Sequence, residues 1–83
     1  MEINIPEYIP DEGLRLNWIG DFRIKVTCED DTVVISANRD GLLSLANHLI
    51  NLAQDTVPTG THLHLDEQNS LEELSKELII EKE

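Results

Sequence analysis

The sequence predicts an α+β domain: a single, mainly antiparallel sheet of four to five strands in the order β-β-β-α-β-β, with one long helix packed on one face. Three observations predict it. Several short runs alternate apolar and polar residues with period two, as half-buried strands do. One window, from Leu42 to Ala53, repeats its apolar residues at helical spacing. The connections between these segments are short and carry turn residues. With 83 residues, the chain makes one domain that buries roughly 60–65% of its unfolded surface. That leaves little room for a deep substrate pocket.

Residues 1–13 read as an extended acidic arm, and residues 14–83 as a single α+β domain. The arm carries Glu2, Glu7, Asp11 and Glu12, with Pro6 and Pro10. Two prolines so close exclude a helix. Ile3–Ile5 is a candidate short edge strand. Leu14, Leu16 and Trp18 alternate with Arg15 and Asn17, which predicts a first strand with Trp18 in the core. Gly20-Asp21 then fits a two-residue hairpin turn. Phe22, Ile24, Val26 and Cys28 alternate next, placing the lone cysteine on the buried face. Glu29-Asp30-Asp31 is a charged turn, and Thr32–Ala37 is a β-branched third strand.

Asn38 or Asp40 can cap the helix, because a short polar side chain accepts first-turn N–H groups. Leu42, Leu45, Ala46, Leu49, Leu52 and Ala53 form the expected buried stripe. Ser44, Asn47, His48, Asn51 and Asp55 fall on the face expected to meet water. Pro58 ends the helix. Thr61–Asp66 is the next strand, with Leu63 and Leu65 toward the core and His62, His64 and Asp66 on the other face. Ser70-Leu71-Glu72-Glu73 matches a capping box and predicts one helical turn with Leu71 and Leu74 inward. Glu77–Glu81 is the last strand, with Leu78 and Ile80 on one side. The tail from Glu81 to Glu83 reads as solvated.

Seventeen acidic and six basic residues give a net charge of −11. Such a balance argues against binding nucleic acid, whose partners are basic, and against anionic membranes. It favours rapid association with a basic partner. A single cysteine permits no internal disulfide, which suits a reducing, cytoplasmic setting. No apolar h-region marks a secretory signal, and no run is long enough to span a membrane. The scattered glycines form no phosphate loop, and the paired carboxylates lie in turns without apolar enclosure. No catalytic residue and no cofactor is expected. The strand face His62, His64, Asp66 offers one alternative, a zinc-binding site, since imidazoles two apart on a strand point the same way.

The C-terminal half carries a combined pattern. Gly41-Leu-Leu-Ser-Leu-Ala-x-His-Leu49 is followed by Pro58-x-Gly-x-His-x-His-Leu-Asp66, then by Leu71 and Ser75-x-Glu-Leu-Ile-Ile80. This pattern, spanning residues 41–80, resembles the immunity protein 32 family. These are small bacterial proteins assigned to polymorphic toxin systems, each protecting its producer from a partner toxin. The resemblance implies a non-enzymatic protein that neutralises a cognate toxin by stoichiometric binding. The acidic charge fits a partner with a basic active-site cleft. Charge and exposure alone nominate Asp30, Asp31, Glu67, Glu72 and Glu73 as contacts. Monomer and homodimer, the latter through an edge strand, both remain open.

Overall fold

The computed structural model describes residues 2–83. The elements run β1 (Ile24–Glu29), β2 (Thr32–Ala37), α1 (Arg39–Leu52), β3 (His62–Leu65) and β4 (Leu78–Glu81). The α+β class and the single helix stand, but the single sheet does not. Among the described residues β1 pairs only with β2, and β3 only with β4, each antiparallel.

The interruption has a local cause. The outer edge of β1 is occupied, but by an irregular segment. Glu72 N–H donates to Ile24 O at 2.9 Å and Lys76 N–H to Val26 O at 2.7 Å. A regular ladder advances equally on both strands. Here four residues on one side face two on the other, so the chain bulges between Glu72 and Lys76 and the ladder breaks. Beyond the bulge the same segment becomes β4 and pairs with β3 from Leu78 onward.

The predicted first strand is also corrected. Residues 14–18 keep their alternation, with Leu14, Leu16 and Trp18 half-buried and Arg15 and Asn17 exposed. They join no ladder, because side chains of α1 take their backbone groups. Asn51 Nδ2 donates to Arg15 O at 2.7 Å. Ser44 Oγ accepts Ile19 N–H at 2.8 Å. Gly20-Asp21 therefore closes no hairpin; Asp21 N–H donates instead to Asp40 Oδ2. In the arm, Ile3–Ile5 forms no strand. It lies along the helix, with Asn47 Nδ2 donating to Asn4 O and Gln54 Nε2 to Pro6 O. Gln54 Oε1 accepts Tyr8 N–H.

α1 starts where the sequence says, at the Asn38 cap, whose side chain accepts Gly41 N–H at 2.8 Å. Gly41 has a packing reason: a Cβ there would stand 2.5 Å from Arg23 O and 3.0 Å from the Ile24 side chain. The helix begins pressed onto β1. Its faces are disposed differently from the expectation. Leu45 and Leu52 are buried as predicted, but so are Ser44, Asn47, His48 and Asn51, while Leu42, Leu49 and Ile50 are exposed. The reason is the first half of the arm, whose backbone groups at Asn4, Pro6 and Tyr8 find their partners on Asn47 of the polar face and on Gln54 just past the helix end. A polar group left without a partner on burial costs about 1–3 kcal/mol, so the arm and the polar face settle together.

One core cluster holds Ile24, Val26, Leu45, Leu65 and Leu71, with Trp18, Phe22, Ala37 and Leu78 against it. A second holds Leu52, Val57 and Leu63, with Tyr8, Leu14, Leu16 and Ile80. Trp18 thus contributes to the core, stacked on Phe22 with centroids 4.4 Å apart. Cys28 is exposed, contrary to expectation. Burial along β1 ends after Val26, so the hairpin tip extends past the core. Lys82 is not merely solvated: its ammonium donates to Gln54 O at 2.6 Å and Val57 O at 2.7 Å. It satisfies carbonyls just past the helix end, where a cation is favourable.

Candidate interaction surface

β3 alternates as predicted. Leu63 and Leu65 are buried, and His62 and His64 are exposed. The outward side chains do not assemble a metal centre. His64 Nε2 lies 3.7 Å from Asp66 Oδ2 and 3.2 Å from Glu77 Oε1, and Glu77 comes from the segment leading into β4. His62 Nδ1 sits 3.4 Å from Gly60 O instead of joining them. Among the described residues, no group of three or more His, Cys, Asp or Glu side chains is arranged to hold a metal ion. The zinc alternative on His62, His64 and Asp66 is therefore set aside.

Asp66 has a different task. Its Oδ1 accepts Gln68 N–H at 2.9 Å and Asn69 N–H at 3.1 Å. Its carbonyl accepts Ser70 N–H and Leu71 N–H at 3.0 and 2.8 Å. Asn69 returns the contact, with Oδ1 on Asp66 N–H and Nδ2 on His64 O. Ser70 is thereby drawn into the Asp66 turn, its Oγ donating to Asn69 Oδ1, and Leu74 N–H goes to Glu67 instead of Ser70 O, so no helical turn forms there. Leu71 is buried as expected, but Leu74 is turned outward and 82% exposed. Leu74 adopts φ 68°, a left-handed conformation that leucine rarely takes. Glu67 Oε2 accepts Leu74 N–H at 2.9 Å and helps hold it there.

The five nominated carboxylates separate into places. Asp30 and Asp31 form the two-residue connection of the β1–β2 hairpin, with Asp30 at φ 52°. Glu67 and Glu73 flank Leu74 around one open depression. Glu72 lines another, beside Arg23, Lys25 and Asn38. All five are exposed, and among the described residues none has a cationic partner within ion-pair distance. Exposed charge unpaired in this way exerts its field on the solvent and on whatever approaches.

Sequence reasoning missed Leu74 at the surface, because its capping box and helical spacing both pointed inward. It also missed His48. The imidazole is fully buried, and among the described residues neither ring nitrogen has a hydrogen-bond partner. It meets the ring of Trp18 edge-on, with centroids 4.3 Å apart. Burial pushes its pKa below the ordinary histidine value. Ser44, one turn earlier and buried too, could have hinted at this face, since it shares the helical azimuth of His48.

Chemically, the arrangement offers a stitched acidic loop with one protruding leucine, and no enclosed polar constellation. Among the described residues, no helix is long and apolar enough to cross a membrane. Comparison with curated proteins and with solved structures returned no match. The family model for immunity protein 32 matches residues 32–83, from the start of β2 to the end of the chain. That is well over half of the sequence and takes in β2, α1, the acidic loop and both strands of the second sheet. The chain belongs to the immunity protein 32 family.

Proposed function

We propose that this chain neutralises a cognate toxin of a polymorphic toxin system by stoichiometric protein–protein binding in the cytoplasm of its producer. Membership of the immunity protein 32 family carries the reading. Such a protein needs a stable scaffold and a complementary surface, not catalysis. The surface best suited is the loop from Asp66 to Lys76. Leu74 projects from it as an apolar anchor, ringed by Glu67 and Glu73, with Glu72 nearby. Asp30 and Asp31 add charge at the hairpin tip. An exposed apolar side chain enclosed by charge fits a pocket in a basic cleft, because the charges steer the encounter and the apolar contact slows release.

The test uses the toxin-domain product of a neighbouring gene. Coexpression of this chain should restore growth of cells making that toxin. Charge reversal at Asp30, Asp31, Glu67, Glu72 and Glu73 together should lower the association rate at least about tenfold at low salt and flatten its salt dependence. Leu74→Ser should instead raise the dissociation rate, by roughly tenfold or more. Failure of the unaltered chain to protect against the toxin sinks the immunity role. Full protection by the charge-reversed chain with unchanged kinetics sinks the electrostatic part alone.

A further inference from the structure

The two edges of the β1–β2 hairpin are treated differently. The outer edge of β1 is covered, since Glu72 N–H, Lys76 N–H and Ser75 Oγ bond to the backbone of Ile24 and Val26. The outer edge of β2 is bare. Asn38 N–H donates to Arg23 O, so this pair is hydrogen-bonded. Alternation along the antiparallel register then turns Ser36, Val34 and Thr32 inward toward β1. The N–H and C=O groups of Val33, Ile35 and Ala37 consequently point outward. Among the described residues no hydrogen bond engages them.

This edge lacks the usual protections. It carries no lysine, no proline and no bulge, the devices that keep edge strands from pairing. Val33, Val34 and Ile35 are 61%, 40% and 43% exposed. From Thr32 to Asn38 there is no charge, although the whole chain carries −11. Charge lies only at the ends of the strand: the tip is acidic, and the open end gathers basic residues with Asp21, Asp40 and Glu72 among them. Glu29, Asp30 and Asp31 sit at the hairpin tip. Arg23, Lys25 and Arg39 sit at the open end, three of the six basic residues. Arg39 is 75% exposed and only 3.9 Å from Asp40, a loose pair that leaves its guanidinium available.

We infer that a second copy of this chain docks on β2, pairing antiparallel about a two-fold axis at Ile35 to make a four-stranded sheet, β1-β2-β2-β1. The register follows from the geometry. Centring on Ile35 uses all three outward residues: Ile35 faces itself, and Val33 faces Ala37 of the other copy. The same operation brings the hairpin tip of each copy, with Asp31, toward the open end of the other, where Arg39 begins α1, so an antiparallel self-pair places the acidic tip of each hairpin near the Arg39 guanidinium of the other. Asp31 is shared with the proposed toxin surface, but the pairing rests on the β2 edge and is tested on the chain alone, so the inference stands whether or not the proposed function does.

The experiment uses the chain alone. Sedimentation velocity from about 10 µM to 1 mM should show a concentration-dependent shift from monomer to dimer, weak because the interface is small. Amide exchange at Val33, Ile35 and Ala37 should slow over the same range, while exchange at Val34 stays constant. Ile35→Pro removes one outward N–H without touching the β1 ladder and should abolish the dimer. Asp31→Lys or Arg39→Glu alone should each weaken it about two- to fivefold, as exposed ion pairs do. The two together should restore it, even if Ile35→Pro impairs folding. A chain that stays monomeric at 1 mM overturns the inference. So does a dimer indifferent to the charge exchange, or one without protection at these amides.

Discussion

The two faces of α1 contrast in composition and in what they meet. One face carries Ser44, Asn47, His48 and Asn51, all buried; the other carries Leu42, Leu49 and Ile50, all about half exposed. An ordinary surface helix does the reverse. The difference lies in what each face has to satisfy. Apolar side chains are content with any apolar neighbour, and Leu45 and Leu52 on the flank suffice to join helix and sheets. The arm up to Tyr8 and the segment from Leu14 to Ile19 run without a ladder, with a turn closed on Ile9 O between them, so their backbone groups need partners. Asn47, Asn51, Ser44 and Gln54 supply them. The polar face acts as a substitute strand edge made of side chains.

The largest way to break this contrast is at Asn51. Its amide donates to Arg15 O, and its Oδ1 accepts Gln54 Nε2 at 2.7 Å. Asn51→Leu adds apolar surface in a buried place, yet it strands Arg15 O and loosens Gln54. We expect a loss of about 1–3 kcal/mol, which lowers the thermal midpoint by roughly 4–8 °C per kcal/mol in a domain of this size. Calorimetry reads the change. An unchanged or raised midpoint would mean that the arm is held by apolar contact instead.

His48 sharpens the contrast by its pH dependence. Its pKa is lowered in the folded chain by burial, so the unfolded chain binds the proton more readily. The stability tied to the neutral imidazole is therefore fully present above the unfolded value, about 6.5. It is lost progressively as pH falls below that value toward the folded pKa. His48→Leu removes the titration and the two unpartnered ring nitrogens. At pH 7 it should change stability by less than about 1.5 kcal/mol, in either direction. Below about pH 6.5 the unaltered chain should fall progressively behind the variant. Urea unfolding at pH 5.5 and 7.5 reads both effects, and parallel shifts in the two proteins would count against it.

Much of the fold was legible where one rule acted alone. Period-two alternation placed Leu63 and Leu65 inside and His62 and His64 outside, and it placed β4. The Asn38 cap and Pro58 bracketed the helix. The pattern in residues 41–80 pointed to the family that the model matches over residues 32–83. What stayed hidden were bonds between side chains and distant backbone, which have no sequence period. Asn51 and Arg15 stand 36 positions apart, and nothing local marks them as partners. The capping box at Ser70 was sound local chemistry that lost to Asp66 on Ser70 N–H, Asn69 on the Ser70 hydroxyl and Glu67 on Leu74 N–H. Asp30, Asp31, Glu67, Glu72 and Glu73 were readable as exposed charge, but Leu74 was not, since only the tertiary loop turns it outward.

The smallest expected effect lies on the exposed face and completes the comparison. Between Gly41 and Leu52 the only titratable residue of the helix is the buried His48, so its outward stripe is uncharged as well as apolar. Leu49 is 47% exposed, and half of its side chain already meets water. Leu49→Gln keeps length and helix propensity, since leucine and glutamine rank close together. Only the buried half of the transfer term is lost, partly regained because the amide is hydrated. The change should stay within about 0.5 kcal/mol, as surface substitutions do. Set beside Asn51→Leu, the pair reverses the usual order: making the helix more polar at 49 costs little, and making it less polar at 51 costs much. Equilibrium urea unfolding of the two variants decides it. A loss at Leu49 as large as that at Asn51 would mean that this stripe is covered by another surface of the protein in solution, and that the two faces of the helix are both interior.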